Sequence, residues 1–379
     1  MKSIGAQRPK AWFDYFTGKG EEVLIVSENE LGINMKPEKS KGVFRILLRK
    51  IHSGLSLFVG WHISFLDKKR PILKKADSIA KNYNPDIIIA TGEPFILFKY
   101  ASLLSRKYNI PWIADYRDNW SNEPTLEFNA LQIKIYQWYF GLLEKNIVQS
   151  SAAITTVGEP TANRIQKLFP NKKITIIPNG HNIPEDFKIQ TVKKDGLKIS
   201  YIGRLYKHRN PTLFLRGFLS WLNNNPNSNA ELHFFGIADF QNQVTYLKSL
   251  VPEVNKHITI HKSYPYEQML YKASDSNAFL MLADKSLPLT NGKLYDYLGL
   301  KRPIILCPDD KSIFNHFINA EESGFIADSE QDVFEILDQL NDHKGDNEFF
   351  TTNISRSEFS REKSSEKLFD LIKRLCAAS

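Results

Sequence analysis

Short apolar runs rich in β-branched residues recur along the chain, separated by longer stretches in which apolar residues fall three and four apart. The first series is EVLIVS (22–27), DIIIAT (86–91), WIADY (112–116), AAITTV (152–157) and KITIIPN (173–179). A second follows: LKISYIG (197–203), AELHFFG (230–236), HITIH (257–261), AFLMLA (278–283), RPIILC (302–307) and GFIAD (324–328). Runs that are apolar throughout belong to strands covered on both faces, and their alternation with helical patterns predicts βαβ units and parallel sheets. The chain is thus expected to form two α/β halves. Residues 178–196, with Asn179-Gly180, Pro184 and a Lys-Lys-Asp-Gly end, read as the linker between them. From residue 357, SEFSREKSSEKLFDLIKRL predicts a closing helix with serine caps and early acidic residues.

A length of 379 residues also favours two domains over one core. The two cysteines, Cys307 and Cys376, form no CxxC or Cys/His spacing, which argues against a disulfide framework or a zinc site. The start, MKSIGAQRPK, lacks the apolar core of a signal peptide, and no run is apolar for a membrane span, so a cytoplasmic protein is expected. Charge divides unevenly. Residues 1–178 carry 26 Lys+Arg against 16 Asp+Glu, and residues 179–379 carry 24 against 26. The excess concentrates in residues 36–75, with 11 basic and 2 acidic side chains around the apolar run LSLFVGWHISFL (55–66). That mixture suits an anionic membrane surface, and equally a solvated face beside a core helix. No nucleic-acid recognition motif accompanies it.

Open parallel sheets bind ligands beyond the carboxyl ends of their strands, so the polar residues just after the runs are the candidates. Glu93 follows DIIIATG, Asp115 and residues 117–120 close WIADY, and Gly203, Arg204, Lys207 and Arg209 follow KISYI. A glycine admits a close backbone approach, and three cations in one loop can neutralise a diphosphate. The stretch LTNGKLYDYLGLKRPII (289–305) places a Gly turn, Lys293 and Asp296 at the opening of a predicted helix. Free amides and a cation there receive phosphate, and a carboxylate three residues on accepts ribose hydroxyls. Asp115 and Asp118 lack the Asp-x-Asp spacing and third ligand of a metal site, so no metal is expected. Asp115 reads equally as structural, through Arg117 or a turn. His181, after the Asn-Gly turn, reads as structural.

An ordered set of motifs resembles the retaining glycosyltransferases of GT-B architecture, in particular glycosyltransferase family four. It comprises RPKAWFDYF near the start, ADYRDNW (114–120), AAITTVGEP (152–160), ITIIPNGHN (174–182), YIGRLYKHRNP (201–211) and GKLYDYLGLKRPI (292–304). The resemblance implies two Rossmann-like α/β/α domains whose parallel sheets face across a cleft. The acceptor-binding domain would span residues 1–180, with the helix of residues 358–379 packed back on it, and the donor domain residues 181–357. Arg204 with Lys207 or Arg209 would grip the donor diphosphate, Lys293 would assist, and Asp296 would hold the ribose. The backbone of Thr290, Asn291 and Gly292, with Gly203, would approach the phosphates, and Tyr264 would border the nucleobase. Gly5, Glu93, Asp118 and Trp120 would lie on the acceptor side, and Asp118, Arg209 and Lys293 would carry the chemistry. Implied too are a nucleotide diphosphate sugar as donor substrate, no cofactor, and a saccharide or lipid-linked saccharide as acceptor, at the inner face of the cytoplasmic membrane. The alternatives are a sugar-nucleotide epimerase or hydrolase of the same architecture, and a non-catalytic membrane-surface assembly partner.

Two departures stand out. Asp296 and Pro288 occupy positions where the family usually carries glutamates. Only Met1 to Ile4 precede the first turn, so either the true start lies upstream or the N-terminal sheet lacks its first strand.

Overall fold

The computed structural model describes residues 6–27, 61, 67, 69–124, 126, 128–205, 209–251, 256–285 and 292–377. The chain divides into two compact units. One comprises Met1–Val157, Thr161–Ile177 and Lys367–Ser379, the other Gly158–Pro160 and Pro178–Glu366.

In chain order the first unit's elements are α1 (Gln7–Gly18), α2 (Arg70–Tyr83), β1 (Ile88–Gly92), α3 (Ile96–Tyr108), β2 (Trp112–Tyr116), α4 (Ala130–Val148), β3 (Ala153–Thr156), α5 (Glu159–Leu168) and β4 (Ile174–Ile176). The four strands form a parallel sheet in the order β1-β2-β3-β4. Every residue of β2 is buried, as its unbroken apolar pattern requires of a strand covered on both faces. One face holds Phe98, Trp112, Tyr116, Trp120 and Phe140; the other packs Trp12 and Phe16 of α1 against Ile113, Ile177, Leu368 and Phe369.

The second unit begins with β5 (Lys198–Ile202), α6 (Thr212–Asn224), β6 (Glu231–Phe235), α7 (Gln241–Leu250), β7 (Ile258–His261), α8 (Tyr266–Ala273) and β8 (Ala278–Leu282). It continues with α9 (Gly292–Gly299), β9 (Ile304–Cys307), α10 (Ile313–Ala320), β10 (Gly324–Ile326) and α11 (Glu330–Asp342), and α12 (Arg361–Ala377) closes the chain. The sheet is parallel, in the order β10-β9-β8-β5-β6-β7. The order reverses between β5 and β8, which puts the ends of these two strands at a topological switch point.

EVLIVS departs from expectation: residues 21–27 form no strand. No described strand offers a ladder to them, and Leu24 is exposed while Val23 alone reaches the core of α1 and α12. Among the described residues, no strand precedes β1, and β1 stands at the edge of its sheet. Residues 178–196 also differ from a free linker. His181, Ile183 and Val192 are buried, and two arginines tie this strap to the second unit. Arg356 donates from Nε to the Gly299 carbonyl and from Nη1 to the carbonyls of Pro184 and Glu185; Arg302 donates to those of Gln190, Ser274 and Phe350. A bridge between His181 and Ser360 completes the attachment.

Candidate active site

Two glycines end the central strands of the second sheet. Gly203 follows β5 with φ +96° and donates to the Phe235 carbonyl at 2.8 Å; Gly236 follows β6 with φ +88° and donates to the His261 carbonyl at 3.1 Å. Side chains rarely adopt such backbone angles. A Cβ at Gly236 would stand 3.7 Å from both the Gly203 Cα and the Ser263 Oγ, so the pair forms one floor at the carboxyl ends of β5 and β6.

Over this floor lies Lys293, from the first turn of α9. A Cβ at Gly203 would come within 2.9 Å of its Cε, and its Nζ sits 3.7 Å from the centre of the Tyr201 ring. Burial, with the Arg209 charge as the lesser cause, holds the ammonium well below the ordinary lysine range. A site that destabilises its own cation in this way gains by receiving an anion. Arg204 stacks on Phe240 with its guanidinium carbon 4.1 Å from the ring centre, while Tyr201 donates to its carbonyl at 2.7 Å. The loop is pinned further where Gln243 accepts from the Leu205 amide at 2.9 Å.

Helix α9 is fixed by Tyr297, whose hydroxyl accepts from the Ile202 amide at 3.0 Å and donates to the Leu280 carbonyl at 3.3 Å. Its ring stacks on Phe279 at 4.4 Å. One buried tyrosine thereby registers α9 against both strands of the switch point. At the helix start, nothing lies within 4 Å of where a Gly292 Cβ would be. One turn on, Asp296 accepts through Oδ1 from the Tyr266 hydroxyl at 2.6 Å. Burial pushes its carboxyl up to about 6, against the lowering effects of the Tyr266 hydrogen bond and the Arg361 charge. Beyond β7, the Ser263 amide donates to Asp239 Oδ2 at 2.8 Å, and Tyr264 lies beside His261 and Phe235 with the Lys272 ammonium 5.2 Å from its ring centre.

In the first unit, Asp115 stands in register with Thr91 and Thr155 across three strands. Its oxygens accept from Arg8 Nη2 at 2.9 Å and Nε at 3.3 Å, from Thr91 at 2.8 Å and from Thr155 at 2.7 Å. The carboxylate is fully buried and saturated, and Arg8 uses its remaining reach on the Ile177 carbonyl. Asp115 is a structural anchor through Arg8, neither Arg117 nor a turn being its partner among the described contacts. Just beyond, Asp118 is exposed and pairs with Arg117 at 3.5 Å. The intervening loop is held from beneath by Glu144 of α4, which accepts from the Tyr116 hydroxyl at 2.9 Å and the Ser121 amide at 3.0 Å.

Residues 17–183 match the sequence model of Glycosyltransferase Family 4. The fold is similar to that of a glycosyltransferase from Rickettsia africae, with a TM-score of 0.65 and 15% identity over 100% of this chain and 97% of that one. Sucrose-phosphate synthase from Thermosynechococcus elongatus follows at 0.60, with 14% identity over 83% and 79% of the two chains. The Anabaena HepE protein in complex with UDP gives 0.59, with 9% identity over 80% and 82%. Among curated proteins no sequence matches the chain. The chain has the GT-B fold, and the Glycosyltransferase Family 4 match lies in its first half.

The fold brings Gly203, Arg204, Arg209, Gly292, Lys293 and Asp296 to the β5–β8 switch point, with Tyr264 beyond β7. Lys207, Thr290, Asn291, Pro288 and Gly5 lie outside the described residues, as does most of the basic segment 36–75. Glu93 and Asp118 are exposed at the carboxyl ends of β1 and β2. Trp120, expected on the acceptor side, is buried. It is 3% exposed, stacked between Phe95 at 5.2 Å and Trp61 at 4.9 Å, so its indole supports the loop from the core. Sequence reasoning missed Gly236, Tyr266, Tyr201 and Glu144. Gly236 had a signal, since it ends AELHFFG as Gly203 ends LKISYIG; the others act through contacts distant in sequence. Among the described residues no three His, Cys, Asp or Glu side chains are grouped to hold a metal ion.

Proposed function

We propose that this chain is a glycosyltransferase that moves a sugar from a nucleotide diphosphate sugar to a saccharide or lipid-linked saccharide, with retention at the anomeric carbon, in assembly of an envelope polysaccharide such as lipopolysaccharide. The observation that carries the donor part is the placing of Lys293 over the Gly203–Gly236 floor, with the Asp296 carboxyl one helical turn away. Cations above glycine backbone take a diphosphate, and the carboxylate takes ribose hydroxyls. As the sugar leaves, charge grows on the diphosphate. Stabilising it is the main electrostatic task, and Lys293, Arg204, Arg209 and the α9 amides supply that field on this reading without a metal. Retention follows on the same reading from attack on the face the diphosphate leaves, its departing oxygen helping to take the acceptor proton.

UDP is the first nucleotide to try, because HepE, a protein of similar fold, was solved with it. Titration calorimetry should show UDP binding that Lys293→Ala and Asp296→Ala each weaken at least about tenfold. Absence of binding to UDP and to the other nucleoside diphosphates would sink the donor reading. Release of nucleotide from a nucleotide-sugar panel should require added acceptor; release without one would favour the epimerase or hydrolase. The acceptor side is read from Glu93 and Asp118 at the ends of β1 and β2, in a half whose net charge is strongly positive. The catalyst is placed in the cytoplasm, working at the inner membrane face.

A further inference from the structure

Helix α4 is apolar on two faces. Phe140, Glu144 and Val148 lie inward, yet on the solvent side Leu131 is 67% exposed, Ile135 50%, Trp138 67% and Leu142 49%. Their spacing of four, three and four residues sets them in one stripe, within about 60° of arc at 100° per residue. Isolated exposed apolar residues need no explanation, but a continuous stripe with a tryptophan at its centre marks a contact surface. Lys134 and Lys145 flank one edge of the stripe. The helix's one carboxylate, Glu144, is buried and occupied by Tyr116 and Ser121, so it puts no negative charge on the outer face.

We propose that this face of α4 is a docking surface for an anionic lipid bilayer, with the helix lying in the plane of the headgroups. Leu131, Ile135, Trp138 and Leu142 enter the acyl boundary, and Lys134 and Lys145 extend their stems along it to place their ammonium groups among lipid phosphates. Tryptophan suits that depth, with an apolar ring and one N–H for the wet side. Charge complementarity selects an acidic bilayer over other occupants: Lys134 and Lys145 border the stripe, and no outward carboxylate of α4 opposes them. No helix among the described residues is long and apolar enough to cross a membrane, which agrees with lying on one. The loop that α4 supports through Glu144 carries Asp118, so docking here would present the acceptor side to a lipid-linked saccharide. In that respect the inference deepens the acceptor part of the proposed function, and it leaves the donor part untouched.

The test is flotation of the full chain with vesicles of phosphatidylglycerol and phosphatidylethanolamine, against vesicles of phosphatidylcholine alone. The expected result is co-flotation with the acidic vesicles, and at least about a tenfold loss of partitioning in Trp138→Glu and in Leu131→Ser/Leu142→Ser. Both variants change exposed residues, and unaltered UDP titration would show that the donor unit remains intact. With vesicles carrying brominated acyl chains, protein fluorescence should be quenched, and Trp138→Phe should remove most of that quenching. Flotation that the variants leave unchanged would overturn the α4 assignment. So would absence of flotation in the parent chain, and the donor reading would still stand if UDP bound. A concentration-dependent dimer that Trp138→Glu dissolves, without flotation, would overturn it in favour of a second copy as occupant.

Discussion

Burial disfavours the charged forms of both Asp296 and Lys293. Burial holds the Asp296 carboxyl at about 6, above its ordinary value near 3.8. A carboxyl raised on folding binds its proton earlier in the native state, so its contribution favours the fold at low pH and is lost as pH rises from about 4 through 6. Asp296→Asn should therefore raise stability at pH 7 by roughly 2 kcal/mol and abolish nucleotide affinity, a pairing that urea unfolding and calorimetry can read on one sample. A loss of stability instead would mean that the hydrogen bond to Tyr266 outweighs the burial cost of the charge. Lys293→Met should act in the same sense. It removes a buried cation beside Arg209, leaving stability equal or higher by about 1–2 kcal/mol while diphosphate binding falls. Sequence alone showed these two residues at helical spacing, one carboxylate and one cation. It could not show Tyr266 or Tyr201, because their contacts with Asp296 and Lys293 cross 30 and more residues of chain.

At the scale of elements, most of the apolar runs became the strands they predicted, because a strand covered on both faces writes an unbroken apolar signature. EVLIVS carries the same signature and forms no strand, since pattern specifies burial and a ladder needs a neighbour. The attachment of the strap at residues 178–196 was not legible in the sequence, for a complementary reason. Its Pro, Gly and Lys content is that of a linker, and its attachment lies in arginines more than a hundred residues away. Arg356 satisfies carbonyls from Pro184, Glu185 and Gly299, which burial would otherwise leave unpaired. Arg356→Met should cost about 3 kcal/mol, from several lost charge-assisted bonds, and should raise amide exchange across residues 178–188. Retained protection there, at a similar loss of stability, would place the damage elsewhere. The exposed pair Arg216–Glu330, by contrast, is a surface contact whose removal should change little.

For the whole molecule, acid sensitivity and ligand response should both belong to the second unit. Burial holds His181 at about 4, its Nδ1 accepting from the Ile183 amide and its Nε2 facing the Arg356 carbonyl, and His261 also sits at about 4. A histidine depressed on folding takes its proton in the unfolded chain first, so its stability is whole above about 6.5 and is lost as pH falls toward 4. Asp296 works in the opposite sense over nearly the same interval. Burial lowers His233 as well, so three histidines oppose one carboxyl, and the second unit should lose a few kcal/mol between about pH 6.5 and 4.5. In the first unit no described residue is a histidine, and burial raises Glu144 and Asp118, so protonation favours that unit as pH falls. Scanning calorimetry of the full chain should accordingly resolve two transitions as pH falls, with only the second unit's moving down. UDP at a hundredfold excess over its Kd should shift that same transition, by about 2.7 kcal/mol of linkage, and leave the other in place. Asp296→Asn should steepen the acid loss and remove the UDP shift together. If UDP instead moved the first unit's transition, the donor site would have to be sought there, and the cluster around Gly203 and Lys293 would lose its assignment.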